Sequence, residues 1–169
     1  MIRLSCFLSA TVILAPCVAL AADAPCNIPR KVYAHIDMNM DSAGSVVVPV
    51  FIGGKQLQML VDTAGVVSML STHAEDTLGL GRRAIGGSRL QFYGKVQVTS
   101  YVHAPDMLIG RSELPSFNIM TVPDGEIPPD IDGMIAPDLL SIFDVDFDFA
   151  KGKFSLFSQD HWPGMGAYW

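Results

Sequence analysis

At 169 residues the chain is sized for one domain. Half of its residues are hydrophobic and its formal net charge is −6, with no basic cluster. That balance supplies a packed core and argues against a nucleic-acid partner.

Residues 1–21 read as a secretory signal. Arg3 gives the positive start, Phe7 to Leu20 is apolar but broken by Pro16, and Ala19-Leu20-Ala21 is a small-residue cleavage site. The run is too short and too interrupted to span a bilayer. The protein is therefore expected to be exported, periplasmic or secreted, with no membrane attachment after signal removal. Cys6 and Cys17 leave with the signal, so Cys26 is expected as a free thiol. Residues 22–45 read as a polar, irregular N-terminal arm. His35, Met38 and Met40 within it allow a copper-type reading, since imidazole and thioether suit that metal. The plainer reading is a solvated lead-in strand with both methionines on one side, and no metal site is assigned.

From Val46 the pattern changes. Val48–Ile52 and Leu57–Val61 are apolar runs around Gly53-Gly54, which predicts a hairpin, because paired glycines supply positive φ. The second run ends in Asp62, then Thr63-Ala64-Gly65, then a further apolar run, Val66 to Leu70. A carboxylate at the end of an oily strand is costly unless bonded, and small residues after it let the backbone offer N–H groups. Ser71–Leu80 predicts a short helix, with Thr72 and Glu75 as a capping box and Gly79 past its end. Arg82 and Arg83 follow and read as solvated. Ser88 to His103 predicts a hairpin with Tyr93 and Gly94 near its tip. Met107–Ile109 and Phe117–Val122 read as short strands, and Pro123–Pro129 as an acidic loop. Pro137 to Ile142 predicts a helix opened by proline, with Asp138 facing its positive end. Asp144 to Phe149 alternates as a strand, with the acids outward and Val145, Phe147 and Phe149 inward. Lys151-Gly152-Lys153 turns into a last strand, Phe154–Phe157.

Val61-Asp62-Thr63 and its small-residue loop resemble the active-site loop of aspartic proteases, in the single-lobe retropepsin-like form of bacterial exported proteins. Asp132-Gly-Met-Ile-Ala136-Pro-Asp138-Leu-Leu, about seventy residues on, is similar to that family's closing segment. The likeness spans roughly Val46 to Phe157. It implies an all-β fold, a closed barrel-like lobe with one or two short helices, over residues 46–158. Residues 159–169 are then a C-terminal tail. One departure is present: the family loop reads Asp-Thr/Ser-Gly, whereas Ala64 stands third here and Gly65 fourth.

The resemblance implies an aspartic endopeptidase with Asp62 as catalyst, Thr63, Ala64 and Gly65 as loop support, and Tyr93 and Gly94 as flap candidates. It implies no cofactor. Aspartic proteolysis needs two carboxylates sharing a proton, and this chain offers one Asp-Thr loop. A second copy of itself, a C2 homodimer, or another lobe is therefore the expected partner, with an extended peptide as substrate. The alternative is the same lobe as a catalytically inactive module gripping a peptide or partner chain.

Overall fold

The computed structural model describes residues 31–86, 91–92 and 96–160. Residues 1–21, expected as a signal, Cys26, the flap candidates Tyr93 and Gly94, and residues 161–169 lie outside the described residues. No helix among the described residues is long and apolar enough to cross a membrane.

The stretch expected as an irregular arm contains two strands. β1, Val32–Asp37, pairs antiparallel with the last strand, and β2, Asn39–Met40, pairs with the start of β3. β1 is long enough to bury Ala34 while exposing His35 and Asp37. Next come β3, Val46–Ile52, and β4, Lys55–Val61, paired from Val47↔Leu60 to Ile52↔Lys55. Gly53 and Gly54, at φ 55° and 75°, make the turn, as a two-residue hairpin loop requires. β5 is only Met69–Ser71. The apolar run from Val66 thus enters its strand late, and Val66 is 77 % exposed.

Helix α1, Thr72–Leu78, is capped by Ser71, whose hydroxyl accepts from Ala74 N at 3.0 Å. This corrects the expected capping box. Glu75 instead turns inward, 3 % exposed, and takes a two-oxygen contact from Arg82 Nε at 2.9 and 3.0 Å. Burying a carboxylate is tolerable only with such a partner. Arg82 is accordingly engaged rather than solvated, and its guanidinium pKa is raised, chiefly by the hydrogen bond to Glu75. Gly79 closes the helix at φ 70°.

β6, Arg83–Ala84, leads to β7, Gln91–Phe92, and β8, Val96–Gln97, which pair as a separate hairpin with Phe92 opposite Val96. The next two strands are longer than expected: β9, Ser100–Ile109, and β10, Ser112–Val122, form one continuous antiparallel ladder. β11, Gly133–Ile135, precedes helix α2, Pro137–Leu140, which is shorter than expected. β12, Asp144–Asp148, and β13, Lys153–Phe157, form a three-stranded sheet with β1 in the order β1-β13-β12. Val145 and Phe147 pack on the core as expected, but Phe149 lies past the strand end and is exposed, stacked on Phe147.

Strands β3, β4, β11, β5, β10 and β9 follow one another by pairing, and Phe51↔Leu108 joins the last to the first. This closed six-stranded barrel is the all-β lobe expected. Val48, Val50, Ile52, Leu57, Met59, Val102, Met107 and Ile109 fill one cluster of the core. Each buried aliphatic of this size contributes roughly 1.5–3 kcal/mol. Val47, on the opposite face of β3, joins Met69, Val122, Ile127, Ile131 and Met134 in a second cluster. The three-stranded sheet ties the two ends of the described segment together. Ser158 N donates to Lys31 O, and Lys31 N donates to Ser158 Oγ.

Candidate active site

β11 lies between β4, to which it is parallel, and β5, to which it is antiparallel. Gly133 permits this. A Cβ there would stand 2.3 Å from Met69 O and 2.8 Å from Met59 Cε, inside contact distance of backbone. The three strands bring together the end of β4, the start of β5 and the start of α2. Asp62 stands at that junction.

Asp62 follows β4 directly, and its N–H donates to Ile135 O at 2.9 Å. Its Oδ1 accepts from Ala64 N at 3.1 Å and Gly65 N at 2.9 Å. Its Oδ2 accepts no hydrogen bond among the described residues. The side chain is half-buried, whereas Thr63, Ala64 and Val66 form an exposed rim. So the sequence-predicted residues Asp62, Thr63, Ala64 and Gly65 form one loop around one carboxylate.

The position that must lack a side chain is Gly65. A Cβ there would meet Asp62 Oδ2 at 2.6 Å and Ala136 Cβ at 3.3 Å. Ala64 contributes only its N–H to the carboxylate, and its methyl group lies on the exposed side. The glycine one place later than the family pattern thus sits where close approach demands it.

The loop is tied to α2 by a contact the sequence did not mark. Ser68 N donates to both oxygens of Asp138 at 3.0 Å, and Ser68 Oγ donates to Asp138 Oδ1 at 2.6 Å. Ser68 Oγ also accepts from Ala136 N at 2.9 Å. Asp138, read as a partner for the helix end, mainly serves as this cross-tie. Seventy residues separate the pair, and no local pattern marks such a contact.

The methionines of the copper-type reading part company: Met38 is buried in the core and Met40 is exposed. His35 Nδ1 pairs with Ser155 Oγ at 2.9 Å on β13. No cluster of three or more His, Cys, Asp or Glu able to hold a metal occurs among the described residues.

This barrel, with its aspartate loop, is the retropepsin-like fold of aspartic proteases. A retropepsin-like aspartic protease from Rickettsia conorii is similar to it, with a TM-score of 0.53 and 17 % identity, over 76 % of this chain and 94 % of that one. EIAV protease bound to an inhibitor gives 0.46 and 18 %, over 61 % and 91 %. A retroviral protease-like domain from Leishmania major gives 0.47 and 16 %, over 69 % and 98 %. No protein-family model and no curated protein matches the chain.

Proposed function

We propose that the chain is one lobe of an exported aspartic endopeptidase. In it, Asp62 of two copies meets across a twofold axis and activates a water against a peptide bond. The observation that carries this is the geometry of Asp62. Two backbone N–H groups fix Oδ1, while Oδ2 stands unbonded beside a glycine that keeps space clear. A carboxylate held by one oxygen, with the other unbonded, can share a proton with a second carboxylate. One member then takes a proton from water while the other gives a proton to the substrate carbonyl.

The exposed rim of Thr63, Ala64 and Val66 is the surface a second copy would cover. Substrate would run extended through the cleft, and the flap role expected of Tyr93 and Gly94 would bring the segment between β7 and β8 over it. Ala64 is the motive for the binding-only alternative, yet its N–H makes the bond the carboxylate needs. That supports the catalytic reading.

Cleavage of an unfolded protein by the mature chain at acid pH, with and without pepstatin, tests the proposal beside an Asp62→Asn variant. The expected result is pepstatin-sensitive cleavage that falls about a thousandfold or more in the variant. Cleavage that persists in Asp62→Asn overturns the assignment. Sizing chromatography under the same conditions is expected to show a dimer, and an active strict monomer would overturn the twofold arrangement.

A further inference from the structure

Away from the Asp62 loop, a hollow of about 520 Å³ opens between β1 and the tip of the β9–β10 hairpin. Val32, Tyr33, His35, Ile36, Gly110 and Arg111 line it. Its volume falls within the roughly 300–1,000 Å³ common to small-molecule sites.

The fold keeps this hollow formed. β1 has β13 on one edge and no strand of the described residues on the other. The hairpin tip is fastened to β1 at one point, where Arg111 N donates to Tyr33 O at 3.1 Å. Gly110 lets the tip come this close. It has φ 61°, and a Cβ there would stand 2.8 Å from Ala34 Cβ and 3.0 Å from Ala34 Cα. Backbone, rather than mobile side chains, thus sets the spacing of the two walls, and a site formed in advance loses less entropy when occupied.

Its charge runs against that of the protein. The chain carries 17 acidic and 11 basic residues, yet no Asp or Glu lines this hollow. Arg111 is exposed, and its guanidinium makes no hydrogen bond or ion pair among the described residues. His35 has Nδ1 bonded to Ser155 Oγ at 2.9 Å, which leaves Nε2. Lys31 Nζ stands 4.8 Å from the centre of the Tyr33 ring. Asp37 on β1 is paired with Lys153, and Glu113 on β10 is outside the lining. Beside these cations lies apolar surface: Val32 is 54 % exposed, and Tyr33 and Ile36 are half-buried against the core.

We propose that this hollow binds a small amphiphilic carboxylate, with its two oxygens on Arg111 and its apolar body along Val32, Tyr33 and Ile36. A guanidinium forks onto both oxygens of a carboxylate, so Arg111 fixes the polar end. A bare inorganic anion would use the cations but leave the apolar wall in water. A neutral apolar molecule would cover the wall but give the guanidinium no partner. None of these residues belongs to the Asp62 loop, so binding stands or falls apart from the peptidase reading.

Isothermal titration calorimetry of the mature chain with octanoate, at neutral pH and below its micellar concentration, tests this. Octanoate is expected to bind at least about tenfold more tightly than acetate, which lacks the apolar body. Octylammonium, with the body but the opposite charge, is expected not to bind. Arg111→Met keeps an apolar stem and removes the charge; it is expected to lower octanoate affinity about tenfold with unchanged melting. Arg83→Met, the same change on an exposed arginine outside the lining, is expected to leave affinity within about twofold. No octanoate binding, equal binding of acetate or of octylammonium, or equal effects of the two arginine variants would each overturn the proposal.

Discussion

Asp62 and Asp132 stand at opposite ends of the same pair of parallel strands, and their carboxylates do opposite work. Asp132 precedes β11 and bonds outward to its neighbours. Its Oδ2 accepts from Gln58 N at 2.7 Å, its N–H donates to Gln58 O, and its carbonyl accepts from Ser71 N. Partners 74 and 61 residues away in sequence are thereby fastened together. Asp62 follows β4, and its side chain bonds only to residues two and three places on. The first aspartate holds the sheet closed; the second is held by its own loop and keeps an oxygen unspent. Identical side chains end up fully bonded or half free according to whether their hydrogen bonds reach across the fold or stay within a turn.

The sharpest test of that contrast is steric. Gly133→Ala pushes a Cβ against Met69 O beside the Asp132 latch, and is expected to cost about 3 kcal/mol or prevent folding. Urea unfolding reads it, and a midpoint within error of the parent would show that β5 has room to shift. Next, Asp132→Ala is expected to cost about 2 kcal/mol, since it strands a backbone donor between strands. Asp62→Ala should cost under about 1 kcal/mol, because its partners are near solvent. Equal losses would erase the distinction between the two aspartates.

The smallest effect is expected from pH. Asp124 has its pKa lowered, chiefly by the His73 N–H bond. Its contribution is therefore present above the ordinary value of 3.8 and fades as pH falls through the lower folded value. Asp124→Asn should flatten the loss of stability on acidification below about pH 4. An unchanged acid limb in thermal melts would show that this tie between α1 and the 123–131 loop is not what loosens first.

Much of the lobe was legible because its signals are local. Gly53-Gly54 marks the first hairpin, Asp62 to Gly65 marks the loop, and Pro137 marks the start of α2. Where proline interrupts alternation, the sequence misleads. Pro105 and Pro115 lie inside β9 and β10, at exposed positions that the ladder accommodates, so two long strands looked like short ones. Partners that only the folded chain brings together leave no trace at all. Ser68 and Asp138, or Glu75 and Arg82 across a helix end, are recognisable only once the chain has folded. Glu75 looked like a cap because spacing alone does not say which way a carboxylate turns.

The paired bonds between Lys31 and Ser158 carry a consequence for handling the molecule. Lys31 and Ser158, near the two ends of the described segment, stand side by side at the three-stranded sheet. A dye, bead or surface attached at either residue would grip the lobe at one spot. Two lobes genetically joined in tandem would likewise be linked through neighbouring attachment points.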